Sequence, residues 1–274
     1  MIQHFLNPPN WFTAASIACS TYALALLVAQ PHTPALMIQA CVLVLFGGVF
    51  DLLDGRVARM TNRFSEFGVQ LDSLADLVSF GVAPAMLAWA WRLHELGALG
   101  AAVTFWYVIA AAFRLARFNV NSAHHSWNLA GHSQGLTTTM AGGCLVIFVW
   151  MSNGYLETVP VTALAAAGLV AALGGLMVCS LPMRSFKDMR QNPRARILFA
   201  VAFAASLTGA LALDPSMWFG VGAMLYLTLG VVDGVITWAA HWRRGNNLDT
   251  VGAEAVHDVD EAAEDGYALI DPTR

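Results

Sequence analysis

Charged residues are scarce in this sequence. Asp, Glu, Lys and Arg make up 12% of its 274 residues, whereas soluble globular proteins contain about 25%. Hydrophobic residues reach 57%, and the mean hydropathy is +0.58. This composition excludes an ordinary soluble domain and predicts an integral membrane protein. Only 14 residues are Lys or Arg and the net charge is −4, so no nucleic-acid partner is expected.

Three further features are missing. The four cysteines occur singly with no CxxC spacing, which argues against a zinc site and against a disulfide framework. The N-terminal segment lacks a basic region and a small-residue cleavage site, so no cleaved signal peptide is expected. The alternating pattern of a membrane β-barrel is also absent. The fold class is therefore predicted to be all-α, a polytopic bundle of transmembrane helices.

Apolar runs of about 20 residues, the length needed to cross a bilayer, predict eight transmembrane helices. They cover approximately residues 11–30, 35–62, 66–93, 98–120, 136–152, 160–181, 195–213 and 215–240. We therefore expect a transmembrane domain at 1–242, followed by an acidic, disordered tail at 243–274.

Basic residues support this number of helices, because they cluster in alternate connections. The clusters lie at or directly after the ends of the second, fourth, sixth and eighth predicted helices: Arg56, Arg59 and Arg63; Arg114 and Arg117; Arg184, Lys187, Arg190, Arg194 and Arg196; Arg243 and Arg244. Cytoplasmic loops carry an excess of Lys and Arg. The pattern predicts that both termini are cytoplasmic.

Four aspartates interrupt the apolar sequence at the second predicted connection. Asp51 and Asp54 are spaced i,i+3 and share one helix face, and Asp72 and Asp76 are spaced i,i+4 on the next helix. Because consecutive helices are antiparallel, we expect the four carboxylates to converge near the cytoplasmic surface. Such a group cannot ionise fully without a cation, and oxygen ligands favour Mg²⁺, Mn²⁺ or Ca²⁺.

Two other interpretations of the aspartates remain open at this point. In one, they are buried carboxylates in salt bridges with nearby arginines, namely Arg56, Arg59, Arg114 and Arg117. In the other, they form the ion site of a cation-coupled transporter. A transporter would favour broken helices near the membrane midplane, whereas these residues lie towards one surface.

Residues 51–76 fit the pattern D-x2-D-G-x2-A-R-x8-G-x3-D-x3-D, which resembles the signature of the CDP-alcohol phosphatidyltransferase family. The resemblance implies a six-helix membrane core, usually a homodimer, that transfers a phosphatidyl group from CDP-diacylglycerol to an alcohol and releases CMP. It implies Mg²⁺ or Mn²⁺, with two ions expected, held by Asp51, Asp54, Asp72 and Asp76. It also implies that Asp76 is the general base on the acceptor hydroxyl, and that CDP-diacylglycerol contacts Asp51, Gly55, Arg56, Arg59 and Ser65.

Three segments carry a narrower resemblance. Residues 71–85, 114–119 and 8–13 resemble the phosphatidylserine synthase branch of that family, which implies L-serine as the acceptor. Binding of the serine carboxylate is expected from Arg114, Arg117, Asn119, Arg184 and Lys187. One departure is that Gly135-Leu136 is followed by Thr137, where the branch usually has proline.

The resemblance leaves several alternatives open. The acceptor could instead be glycerol 3-phosphate, inositol or inositol phosphate, and the donor could carry archaeal-type chains.

The expected location is the cell inner membrane, with the active site cytoplasmic and in contact with membrane lipids.

Overall fold

The computed structural model describes residues 8–28, 33–61, 66–124, 132–154 and 161–184, and the single positions 222, 228, 235, 238 and 239. The predicted helices at 195–213 and 215–240 lie outside the described residues apart from those five positions. The acidic tail, Ser65 and Lys187 lie outside them entirely, as does the side chain of Arg184.

Seven α-helices, one π-helical segment, one 3-10 turn and two short strands make up the described ranges. In order, these are α1 (Pro8–Val28), α2 (Pro34–Thr61), α3 (Glu66–Asp76), a π-helical segment (Leu77–Val82), α4 (Ala83–Trp91), a 3-10 turn (Leu93–Leu96), α5 (Ala98–His124), β1 (His132–Gln134), α6 (Thr138–Gly154), α7 (Ala163–Val178) and β2 (Pro182–Arg184). The third predicted helix corresponds to α3, the π-helical segment and α4 together. Each of the six predicted helices in this part of the chain is observed, with its ends within four residues of the prediction.

Four of the described helices are long and apolar enough to cross a membrane. They are Pro9–Val28, Pro34–Met60, Phe67–Trp91 and Ala98–Asn121. The prediction of a polytopic helical membrane protein is therefore confirmed. The helices α6 and α7 are apolar but have only 17 and 16 residues, fewer than the roughly 20 that span a bilayer. That they also cross the membrane stays a prediction.

Local sequence explains where several helices begin. Pro34 starts α2, and the hydroxyl of Thr33 accepts a hydrogen bond from the Leu36 backbone N–H at 3.3 Å. Thr162 caps α7 in the same way through the Ala165 N–H. Thr137, which stands where the resembling branch has proline, accepts from the Met140 N–H at 3.3 Å and caps α6. The side chain of Thr137 thus caps the start of α6.

The core lies where α1, α2, α4, α5, α6 and α7 meet, since each of these helices contributes buried hydrophobic residues to one cluster. Alanines are prominent in it, and Ala83, Ala88, Ala110 and Ala141 have no exposed surface. Small side chains let helix backbones approach closely, which is how membrane helices gain packing energy without a hydrophobic driving force between them. The large side chain of Tyr107 is also fully buried here.

A two-stranded antiparallel pairing was not predicted from the sequence. In it, β1 pairs with β2, so that Ser133 lies opposite Met183. The adjoining Gly135 donates its N–H to the Leu181 carbonyl at 2.9 Å, and Leu136 donates to the Leu176 carbonyl at 2.8 Å. These bonds attach the segment before α6 to the C-terminal end of α7.

Gly135 has the conformation and surroundings of an obligatory glycine. Its φ is 67°, and a Cβ there would lie 2.7–2.8 Å from the carbonyl oxygens of Leu176, Met177 and Cys179. We expect Gly135→Ala to lower the free energy of unfolding by about 1–3 kcal/mol from backbone strain, with the clash adding to that loss. The measurement is thermal unfolding of the purified protein in detergent.

Gly143→Ala is the matched control, because Gly143 lies within α6 and a Cβ there would have open space. Alanine is favoured over glycine in a helix by about 1 kcal/mol, so this variant should be at least as stable as the original protein. Equal unfolding temperatures for the two variants would contradict the assignment of Gly135.

Candidate active site

Three carboxylates converge between α2 and α3. Asp51 and Asp54 project from one face of α2, and Asp72 projects from α3. One oxygen of each lies within 4.8 Å of those of the other two. The convergence predicted from the i,i+3 spacing and the antiparallel connection is confirmed for these three side chains. Oxygen ligands at this separation suit a hard divalent cation.

A hydrogen bond from α1 orients Asp54. The Thr13 hydroxyl donates to Asp54 Oδ2 at 2.8 Å and also lies 3.3 Å from the Pro9 carbonyl. Thr13 is 4% exposed and Asp54 is 6% exposed, so water does not compete for this bond. With Oδ2 held, Asp54 has a restricted orientation towards the other two carboxylates.

Asp76 lies one helical turn beyond Asp72, at the end of α3. Its Oδ1 atom is buried and has no hydrogen-bond partner among the residues that the structure describes. Its carboxyl group lies within hydrogen-bonding reach of Asp51, and Arg114 of α5 interacts with it electrostatically. A buried carboxylate oxygen without a partner is costly. A cation or a substrate hydroxyl would remove that cost.

The salt-bridge interpretation of the aspartates is wrong. Within the described ranges, none of the four carboxylates has an Arg or Lys nitrogen within 4.0 Å, and the ion pair found joins Arg92 to Glu95 instead. Arg59 donates its Nε to the Gly55 carbonyl of its own helix at 2.9 Å. Three converging carboxylates with an unsatisfied oxygen beside them fit a metal ion.

The expected nucleotide-contacting residues follow the carboxylates along α2. Gly55, Arg56 and Arg59 are all exposed. Of the described side chains, a Cβ at Gly55 would meet only the end of that of Arg59, at 4.0 Å. This part of the helix surface is therefore open beside the carboxylates, with two guanidinium groups available to a phosphate.

Two of the expected acceptor residues lie near the carboxylates. Arg114 is 8% exposed, approaches the Thr138 hydroxyl at 3.4 Å and has its guanidinium carbon 5.3 Å from the Phe118 ring centre. Asn119 donates to the Ser73 hydroxyl at 2.9 Å, which connects α5 to the residue after Asp72. Both residues are thus held on the α5 side of the cluster.

Arg117 differs from the expectation of acceptor binding. Its guanidinium donates to the carbonyls of Met177, Val178 and Cys179 at the end of α7 and to that of Gln134 beside β1. The last carbonyls of a helix have no partners within it and favour a cation. The described contacts therefore make Arg117 a helix cap. For Arg184 only the backbone is described, and it pairs with His132 in the strands.

Comparison with known proteins decides the family. The sequence profile of the CDP-alcohol phosphatidyltransferase family matches residues 6–181, which include the whole aspartate pattern. The chain belongs to the CDP-alcohol phosphatidyltransferase family. This membership removes the interpretation as a cation-coupled transporter. In the family the transfer reaction depends on a divalent metal, and the aspartate cluster is a set of ligands that could bind one.

Three relatives of the chain have the same name. A CDP-diacylglycerol–serine O-phosphatidyltransferase of Helicobacter pylori (strain J99) is 34% identical over 233 residues, covering 83% of this chain and 92% of that protein. Proteins of the same name from Bacillus subtilis and Methanocaldococcus jannaschii are 37% and 30% identical over 151 and 198 residues. These cover 55% and 72% of this chain, and 77% and 85% of the relatives.

Two features of the candidate site, Thr13 and the π-helical segment, were not predicted from the sequence. The contact of Thr13 with Asp54 joins residues 41 positions apart, and nothing in the local pattern identifies its partner. The only signal was the place of Thr13 in the segment at 8–13 that resembles the branch. The π-helical segment directly after Asp76 has no signal in the apolar sequence.

Proposed function

We propose that the protein transfers the phosphatidyl group of CDP-diacylglycerol to the hydroxyl group of L-serine, giving phosphatidylserine and CMP. The observation that carries the proposal is the convergence of Asp51, Asp54 and Asp72 beside the unsatisfied Oδ1 of Asp76. The choice of serine is supported by the names of relatives that align over most of this chain.

Asp51, Asp54, Asp72 and Asp76 would hold the divalent ions, which we propose to be two Mg²⁺ or Mn²⁺. When bound, the metal neutralises the donor diphosphate and stabilises the charge that develops on the leaving CMP. The chain contributes the ligand oxygens, and Thr13 restricts the orientation of one of them.

Asp76 acts as the general base in this proposal. A serine hydroxyl is far too weakly acidic to ionise alone at neutral pH, and a positioned carboxylate can take its proton as the new bond forms. The hydroxyl oxygen then attacks the phosphorus that carries the diacylglycerol. The bond from this phosphorus to CMP breaks, and CMP leaves with the electron pair.

The donor would lie along the exposed part of α2. Arg56 and Arg59 bind its phosphates, Gly55 leaves room for the nucleotide, and Ser65 contributes from the connection to α3. The acyl chains remain among the membrane lipids beside α2 and α3.

Acceptor binding is assigned to Arg114 and Asn119 first. Arg114 is a largely buried cation near Asp76, suited to the serine carboxylate. Arg184 and Lys187 are further candidates for the same carboxylate. Arg117 is not included, because its described hydrogen bonds go to helix carbonyls.

The proposed setting follows from the basic clusters. We place both termini and the active site on the cytoplasmic side of the cell inner membrane. Residues 1–242 form the catalytic domain and 243–274 a disordered cytoplasmic tail. A homodimer is proposed on the family resemblance.

One assay tests the proposal. Purified protein is incubated with CDP-diacylglycerol, Mn²⁺ or Mg²⁺, and one acceptor from a panel of serine, glycerol 3-phosphate, inositol and inositol phosphate. We expect CMP release with serine and formation of phosphatidylserine. Release only with another alcohol would overturn the choice of acceptor. No release with any acceptor would overturn the proposed activity.

A further inference from the structure

The third membrane-spanning helix changes its winding directly after the proposed base. Residues 66–76 are α-helical, Leu77–Val82 are π-helical and residues 83–91 are α-helical again. The Ala83 N–H bonds to the Val78 carbonyl, five residues back, as π winding requires. A π turn is rare and occurs often at functional sites. Asp76 is the residue immediately before it.

The π winding changes the direction in which the two halves of this helix face. One extra residue in a turn offsets the following residues by about 100°, the angle per residue of an α-helix. The direction of the helix face that carries Asp72 and Asp76, relative to the rest of the span, therefore depends on where the π-helical segment begins. It also depends on the contacts that hold the segment at that position.

A cluster of serine hydroxyls holds the segment from the side of α1. Ser20 donates to the Ser79 hydroxyl at 2.9 Å, and the Ser16 hydroxyl lies 3.1 Å from it. All three side chains are fully buried. Hydroxyl groups in membrane helices bond either to their own backbone or across to a neighbouring helix. Here two of them, from α1, are directed to the π-helical segment.

Two other helices, α5 and α6, also hold the segment. Tyr107 of α5 donates its hydroxyl to the Phe80 carbonyl at 3.3 Å. Gly142 of α6 packs against the same residue so closely that a Cβ would lie 2.7 Å from the Phe80 oxygen. A Cβ on Gly81 would lie 3.2 Å from the Ala111 side chain. Neighbours on α1, α5 and α6 thus restrain the segment.

We propose that the hydrogen bonds of Ser16, Ser20 and Tyr107 to the π-helical segment are a positioning device for Asp76. They hold the segment at one register, and that register directs the Asp76 carboxyl towards the acceptor hydroxyl. The inference rests on the proposed function, since it concerns the base of that reaction. Ser79 and Tyr107 are positioning residues, which act through Asp76 and touch no substrate.

The test uses two substitutions that each remove one hydroxyl, Ser79→Ala and Tyr107→Phe. Misplacement of a reacting group by about 1 Å can cost on the order of 100-fold, so we expect kcat to fall by about 10- to 100-fold in each variant. The KM values for CDP-diacylglycerol and serine should stay within about twofold, because the residues proposed to bind them are unchanged. Binding of Mn²⁺ should also be largely retained, because Asp51, Asp54 and Asp72 remain.

Two matched controls lie outside the site. Ser152→Ala removes a buried hydroxyl that has no hydrogen-bond partner in the described part of the chain, and Tyr22→Phe removes an exposed side-chain hydroxyl on α1. Both should keep the kcat of the original protein. If Ser79→Ala does not fold, Ser20→Ala removes the shorter bond from α1 and carries the same expectation.

A structural role alone would lower the unfolding temperature without changing kcat per folded molecule. The inference is therefore overturned if Ser79→Ala and Tyr107→Phe keep kcat within twofold of the original protein, or if they raise KM alone. An original protein that releases no CMP with any acceptor would contradict the proposed function itself, which is a distinguishable outcome.

Discussion

Asp76→Asn is expected to lower kcat for CMP release by about 10²- to 10⁴-fold, the usual contribution of a general base. Asparagine has nearly the same shape but cannot accept the proton of the acceptor hydroxyl. Among the described residues, the buried Oδ1 of Asp76 has no hydrogen-bond partner, and an unpaired buried carboxylate is costly, so a neutral amide there should not lower the stability of the fold. Binding of CDP-diacylglycerol should be largely intact.

The measurement is steady-state CMP release together with a separate binding assay for CDP-diacylglycerol. Glu95→Gln is the matched control, since it removes a carboxylate whose described ion pair is with Arg92, at the other end of the third span. That variant should keep full activity. Unchanged turnover in Asp76→Asn would refute the role of Asp76 as base.

Asp72→Asn is expected to weaken divalent metal binding by about 100-fold or more. Loss of residues that merely orient metal ligands costs about 10- to 100-fold, and Asp72 belongs to the group of three carboxylates whose oxygens lie within 4.8 Å. Activity at low Mn²⁺ should be lost and should return in part at high Mn²⁺. Chelation of the metal should abolish activity in the original protein.

The measurement is Mn²⁺ binding and CMP release, each as a function of the Mn²⁺ concentration. The comparison variant is Asp76→Asn. Asp76 does not belong to the group of three carboxylates within 4.8 Å, so its substitution should lower kcat more than it lowers metal affinity. If Asp72→Asn requires no more Mn²⁺ than the original protein, the assignment of Asp72 as a ligand fails.

Much of the fold was accessible from the sequence because membrane helices follow local rules. A helix in lipid must satisfy its own backbone and needs about 20 apolar residues, so hydropathy located the six predicted helices that fall in the described ranges. The two strands were missed because each has three residues. Their pairing depends on the end of α7 meeting the segment before α6, which no local pattern reports.

The candidate site, like the fold, was predictable where it depends on local spacing. The i,i+3 spacing of Asp51 and Asp54 and the antiparallel connection to Asp72 were sufficient to predict convergence. The role of Arg117 could not be predicted. Its guanidinium binds carbonyls at the end of α7, about 60 residues away in the sequence, and no local pattern reports that contact. The cap on α6 by Thr137 could have been recognised from the preference of threonine for helix starts.

By itself, the sequence determined a helical membrane protein with a cluster of aspartates in a family pattern, because hydropathy and helix periodicity act over short distances. Only the tertiary structure decided which groups hold those aspartates in place. Thr13 reaches Asp54, and Ser20 reaches Ser79, across 41 and 59 residues of chain. Such bonds depend on how the helices pack, and packing is set by the whole bundle together.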